Sequence, residues 1–220
     1  MPFDLGGFHW GDDIVFDDRT GEMDLDTGFS TSTPLIMDEL IEKCLVGKCG
    51  YKLREIMIYG FGQGGMVALD VAARLEHGEP LPQPSKPLQP SPLTGGSLSM
   101  GSTDYRLSSA TGDPSKDYNL PKELGCVVSI GGYIPHASPP PKKGKYQTPV
   151  LLCKAQNMSS VKSHHVGRLK DLFEDVEVVN WTKTGDSMPA SRDEMLPIMQ
   201  LLARRLRSVQ GVPAGSVEIT

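Results

Sequence analysis

The sequence predicts an α/β fold: a parallel sheet flanked by helices, in one domain over residues 1–220. Three observations predict it. Short continuous apolar runs read as strands buried on both faces. Segments with apolar residues at helical spacing alternate with those runs. A hydrophobic content of 38% over 220 residues is enough to build a sizeable core.

Residues 1–29 are irregular and acidic, with a strand-like stretch at Ile14–Phe16. The acidic run to Asp26 has no start point that gives a calcium loop both its glycine and its closing glutamate, so it reads as a solvated loop. Thr33–Pro34 is an N-cap followed by proline at the first helical position. Leu35, Ile36, Leu40, Ile41 and Leu45 then recur at helical spacing, and Gly47 is a stop signal. Glu55–Tyr59 is a short strand, and the helix from about Gly64 to Glu76 is apolar on most faces. Residues 78–121 are dense in Pro, Ser and Gly and too poor in apolar residues to offset their ordering entropy, which predicts a disordered insertion. Its proline spacing (Pro84, Pro87, Pro90) also suits an SH3-type ligand, with a passive loop as the default.

Regular structure resumes with a strand at Gly125–Gly131. A strand at Thr148–Cys153 follows, then a helix at about Ser163–Glu174 and a strand at Val176–Trp181. The last helix, about Ser191–Ser208, carries Met195, Leu196, Ile198, Met199, Leu202 and Leu206 on one face, and the tail GVPAGSVEIT is expected to fray.

Composition narrows the function classes. A net charge of −5 argues against a nucleic-acid binder, which needs a basic face. No apolar run suits a transmembrane segment, and the first residues lack a signal peptide's basic and apolar regions, so a cytoplasmic protein is expected. Cys44, Cys49, Cys126 and Cys153 show no paired metal spacing and read as free thiols, with no metal and no cofactor implied.

The functional question turns on GFGQGG, residues 60–65, between a strand and a helix. Gly60, Gly62 and Gly65 spell G-x-G-x-x-G, a phosphate cradle at a helix N-terminus. That reading, a nucleotide-binding domain, also needs an acidic residue about 20 positions on, and counting forward lands in the insertion. The same residues fit the sharp strand-to-helix turn G-x-S-x-G that displays a catalytic serine, with Gly62 at the serine position.

On this elbow the chain resembles the phospholipase/carboxylesterase family of α/β-hydrolases, which includes the acyl-protein thioesterases and whose elbow reads G-F-S-Q-G-G. The resemblance extends over about residues 50–77 and 122–207. VVSIGGYIP resembles the family's next strand, TPVLLCKAQNMSSV the strand that ends in H-G-x-x-D-x-V-V, and VEVVNWTKTGDSMPAS the strand and turn that deliver the catalytic histidine. FHWGDD is loosely similar to the family's Trp-Phe-Asp segment. The resemblance implies an α/β-hydrolase-like sheet with N-terminal strands missing, since only about 60 residues precede the elbow.

It also implies that the triad is degenerate. The nucleophile position is Gly62. The aspartate position is Met158, beside Asn157. The histidine position is Asp186, after Gly185. Attacking oxygen, base and orienting carboxylate are each absent from their positions. One oxyanion-type donor, the Gln63 backbone N–H, is implied at the elbow with Gly60, Gly64 and Gly65. The family's H-G-x-G-D-like loop, which supplies the other, has no counterpart. Substitute chemistry would have to come from Cys153 with His164 or His165, from His136, or from the hydroxyls of Ser129 and Ser187. Asp186 would at best orient a water. The expectation is a pseudoenzyme with residual binding of an acyl or lipid-like ligand. The alternative is an ester or thioester hydrolase using unrecognised residues or a segment outside this sequence.

Overall fold

The computed structural model describes residues 9–13, 15–16, 21, 23–78 and 122–205. The 78–121 insertion, beyond Gly78, and the tail lie outside the described residues.

Among the described residues the first elements are a two-stranded antiparallel ribbon, β1 (Val15–Phe16) and β2 (Met23–Asp24), where only a strand near Ile14–Phe16 was expected. A one-turn helix α1 (Ser32–Pro34) then runs straight into a wide π-wound stretch, Leu35–Lys48. The predicted helix is therefore present, but its winding differs from an ordinary α-helix and it passes Gly47. The wide winding ends with a five-residue hydrogen bond from the Cys49 N–H to the Cys44 carbonyl at 2.9 Å. Met37 and Ile41 are buried, while Leu35 and Leu40 stay exposed.

A tight turn, Leu53–Glu55, leads into β3 (Met57–Phe61), which starts later and ends later than the sequence suggests. Helix α2 (Gln63–His77) follows at once. Every residue from Gly65 to Ala73 is buried, because α2 is packed between the sheet and the chain that precedes it. Gly78, in the left-handed region at φ 66°, ends it as a glycine cap does. Then come β4 (Cys126–Ile130), β5 (Val150–Asn157), α3 (Ser163–Leu172), β6 (Val176–Thr184) and α4 (Arg192–Arg205). The sheet is all parallel in the order β3-β4-β5-β6, and β4 is buried along its whole length.

The core lies on both faces of this sheet. One cluster joins α2, the π-wound stretch and α3 through Leu69, Ile41, Leu152 and Leu169. The other, on the α4 side, joins Val128, Leu151, Trp181, Ile198 and Leu201. Each fully buried side chain of this size contributes about 1.5–3 kcal/mol.

A buried polar group links these layers and has no signature in the sequence. Asp70 on α2 is buried. Its carboxylate accepts from Thr33 Oγ1 at 2.8 Å, Ser138 Oγ at 2.6 Å and Arg74 Nε at 2.9 Å. Helix α1, the loop after β4 and α2 are thus tied through one paired charge. Glu76, nearly two turns on, takes the backbone N–H groups of Gln147 and Thr148 and fixes the approach to β5.

Candidate functional site

The site is built by the carboxyl ends of the parallel strands, where α/β sheets place their chemistry. Gly62 is the hinge between β3 and α2. Its backbone stands at φ 54°, ψ −123°, a region that disfavours any side chain. Its N–H donates to the Ile130 carbonyl at 2.8 Å, and its carbonyl accepts from Gly65 and Met66 at 3.0 and 3.1 Å. A side chain at position 62 would project into open space. The neighbouring glycines have no such room. A Cβ on Gly60 would lie 2.3 Å from the Gly64 carbonyl oxygen, and one on Gly65 would lie 2.4 Å from Ser129 Oγ. Gly64 is less constrained and borders the Trp10 indole.

The turn therefore has the shape that presents a side chain and carries none. Three amides that a phosphate cradle would offer, those of Gly62, Gly65 and Met66, are already committed to protein carbonyls. The Gln63 amide lies at the first position of α2, outside the helix's own hydrogen-bond ladder. Its side chain is tied down: Oε1 accepts from the Trp10 N–H at 3.3 Å, and Nε2 donates to the Leu25 carbonyl at 3.4 Å. Asp12 anchors the same stretch by accepting the Ser30 and Thr31 amides at 2.7 and 3.1 Å. Burial works against the Asp12 charge, but these bonds outweigh it and hold the carboxyl below the usual range.

The other two positions singled out by the resemblance are close to each other through Asp186. Met158 is 82% exposed and has φ 53°. Asp186 does not point at a histidine. Its Oδ1 accepts from the Ala155 N–H at 2.8 Å, and its Oδ2 accepts from Ser159 Oγ at 2.9 Å and the Ser160 N–H at 2.8 Å. Asp186 thus fastens the turn after β6 to the loop carrying Met158, beside an irregularity in β5–β6 pairing between Ala155 and Asn157. Gly131 faces this carboxylate so closely that a Cβ there would lie 2.6 Å from Asp186 Cβ.

The candidate substitutes are dispersed or engaged. Cys153 is fully buried in the α4-side core, and burial pushes its thiol up to about 12, which leaves no thiolate to attack. His165 stacks on Tyr133 with ring centroids 3.8 Å apart, and its Nδ1 accepts from the Lys162 N–H at 3.2 Å. Burial, then the neighbouring His164, His136 and Lys162, pull its pKa down to about 4, so it is a weak base. His136 Nδ1 lies 2.6 Å from Arg168 Nη1. Ser129 is fully buried and donates to the Gly132 carbonyl at 2.9 Å. Ser187 and His164 are exposed. Among the described residues, no cluster of His, Cys, Asp and Glu is arranged to hold a metal ion.

One depression borders the elbow and another lies by the loop that carries Met158. An apolar groove of 470 Å³ lies along β3 between the π-wound stretch and α2, with Trp10, Ile36, Leu40, Tyr59, Phe61 and Gly64 among its walls. A more polar cleft of 550 Å³ is lined by Asp24, Tyr133, Met158, Ser159, Ser160 and Lys162. Sequence reasoning missed Trp10's place over the elbow and the Tyr133–His165 stack. FHWGDD was the signal for the first, and nothing local marked the second.

No family model matches the chain. It is 25% identical over 211 residues to an uncharacterized hydrolase of Schizosaccharomyces pombe, covering 94% of this chain and 68% of that protein. Its structure is similar to that of SOBER1 of Arabidopsis thaliana, an α/β-hydrolase of the carboxylesterase/phospholipase family, with a TM-score of 0.50 and 16% identity over 90% of this chain and 74% of the other. The chain has the α/β-hydrolase fold. No helix among the described residues is long and apolar enough to cross a membrane.

Proposed function

We propose that this chain is a carboxylesterase-type α/β-hydrolase domain that has lost its hydrolytic chemistry and acts by binding. One observation carries the reading. Gly62 holds the strained backbone of a nucleophile elbow but supplies no nucleophile, and the two residues at the remaining triad positions are an exposed methionine and a carboxylate spent on a loop. Acyl transfer needs an attacking atom, a base in reach of its proton and an orienter for that base. His165 and His136 are engaged elsewhere, and Cys153 is a buried thiol.

What remains is a shaped apolar groove beside the elbow, lined without a charged residue. An acyl chain or a similarly apolar ligand suits it. The test is a serine-reactive fluorophosphonate probe together with a fatty-acyl peptide. The expected result is no covalent labelling, with saturable peptide binding and no turnover. Labelling at any residue of the chain overturns the reading.

A further inference from the structure

Helix α3 is capped by an imidazole. Lys162 is the N-cap residue, and the side chain that reaches back to its backbone N–H is that of His165, whose Nδ1 accepts at 3.2 Å. Glutamate or glutamine commonly fills that position. An imidazole fills it only while Nδ1 keeps its lone pair, because a protonated ring sets N–H against N–H. The next turn repeats the requirement. Arg168, which can only donate, directs Nη1 at His136 Nδ1 and Nη2 at the His136 carbonyl, at 2.6 and 2.9 Å. Bare ring nitrogens thus cap the start of α3 and tie the helix to the loop after β4.

We infer that the start of α3 is an acid-released latch: proton binding by His165 and His136 removes the cap, unwinds the first turn and frees it from the loop after β4. The groups around these rings oppose a charge held in place. The His164 and His136 rings lie 4.0 and 6.5 Å from that of His165, Lys162 adjoins it, and Tyr133 covers one face. A hydrogen bond with the Ser160 backbone favours the charged ring and is outweighed. No acidic residue in the first turn answers a cation at this helix N-terminus. The carboxylates of the adjoining segments are spent on backbone: Asp24 accepts from the Asp26 N–H, Asp26 from the His136 N–H, and Asp186 from those of Ala155 and Ser160. The open turn therefore binds protons that the closed turn excludes, and acid drives opening. Tyr133, Ser160 and Lys162 belong to this latch and also line the polar cleft, so release reshapes the cleft while the sheet stays intact. The latch works whether or not the chain binds an acyl ligand.

The test is amide hydrogen exchange on the full chain, compared as protection factors at about pH 7 and about pH 5, with long-range proton–nitrogen spectra of the imidazoles. The Lys162, His165 and Val166 amides, all bonded within the first turn, are expected to lose protection about tenfold or more at the lower pH. The amides of β4 are expected to keep theirs, and His136 and His165 to show a bare Nδ1 at the higher pH. His165→Gln keeps an acceptor that does not titrate, so it is expected to remove most of the pH dependence with the turn closed. His165→Ala is expected to leave the turn open at both pH values. First-turn protection that does not change with pH in the parent overturns the inference. So does a full-size fall that survives in His165→Gln, a fall shared by β4, a protonated Nδ1 at the higher pH, or a His165→Ala turn as protected as the parent's.

Discussion

The carboxylate of Asp186 accepts the backbone N–H of Ala155 at 2.8 Å, so a residue on the turn after β6 completes the hydrogen bonding of β5 where their pairing slips. With Ser159 and Ser160 also bound, the role is mechanical. Asp186→Ala is expected to lower stability by about 2–3 kcal/mol, the worth of charged hydrogen bonds with the amide of buried Ala155 left unpaired. Asp186→His restores the residue type expected of a hydrolase but loses the same bonds, so it too is expected to destabilise and to give no activity. Urea titration monitored by circular dichroism measures both.

Gly62→Ser tests the elbow directly. A side chain there meets no atom within 4 Å, so the cost is confined to backbone strain of roughly 1–3 kcal/mol. The expected variant is folded, somewhat less stable and inactive on short-chain esters, because no base adjoins the new hydroxyl. Ester turnover by the single mutant shows that a base has been overlooked. Gly60→Ala provides the contrast. Its Cβ would lie 2.3 Å from a backbone oxygen, which cannot move without breaking the turn, and soluble yield is expected to fall sharply.

Asp70→Ala removes three bonds at a buried site and takes away the carboxylate to which Arg74 Nε donates. Breaking a buried pair of this kind costs about 3–5 kcal/mol. Thermal unfolding is expected to shift accordingly, with Asp70→Asn falling between mutant and parent because it keeps an acceptor for the hydroxyls.

His165 gives a pH signature. Its pKa in the folded chain lies at about 4, below the ordinary 6.5, so the unfolded chain binds the proton first. The stabilisation from a neutral His165 is present above pH 6.5 and is lost as pH falls from 6.5 through 4. His165→Gln, which cannot titrate, is expected to flatten the stability–pH curve across that window. An unchanged slope refutes the assignment.

The thiols divide in the same way. Burial pushes Cys126 up to about 11 and Cys153 up to about 12. Iodoacetamide at pH 8 is expected to label exposed Cys49 in the native chain and to reach Cys126 and Cys153 only after unfolding. Peptide mass mapping reads the difference.

The parallel strands were legible because full burial on both faces leaves unbroken apolar runs such as CVVSI, and burial is what the structure gives β4. The elbow was legible because close approach at Gly60 and Gly65 excludes a Cβ, and that constraint appears in sequence as glycine. The rest depended on partners far along the chain. Asp70 reads as an ordinary helix carboxylate until Thr33 and Ser138 arrive beside it. Cys153 and His165 were plausible collaborators in one dimension, yet one lies in the α4-side core and the other stacks at the start of α3. The π winding of Leu35–Lys48 was hidden because its apolar residues satisfy the spacing of an ordinary helix.

The two tryptophans give this protein a built-in optical separation. Trp10 is 47% exposed above the first turn of α2, whereas Trp181 is 4% exposed under a lysine cation. Emission from the former reports events at the mouth of the elbow, and emission from the latter reports the integrity of the sheet. Quenching by iodide reaches the first and spares the second, so occupancy and unfolding can be followed as distinct signals in one cuvette without any added label.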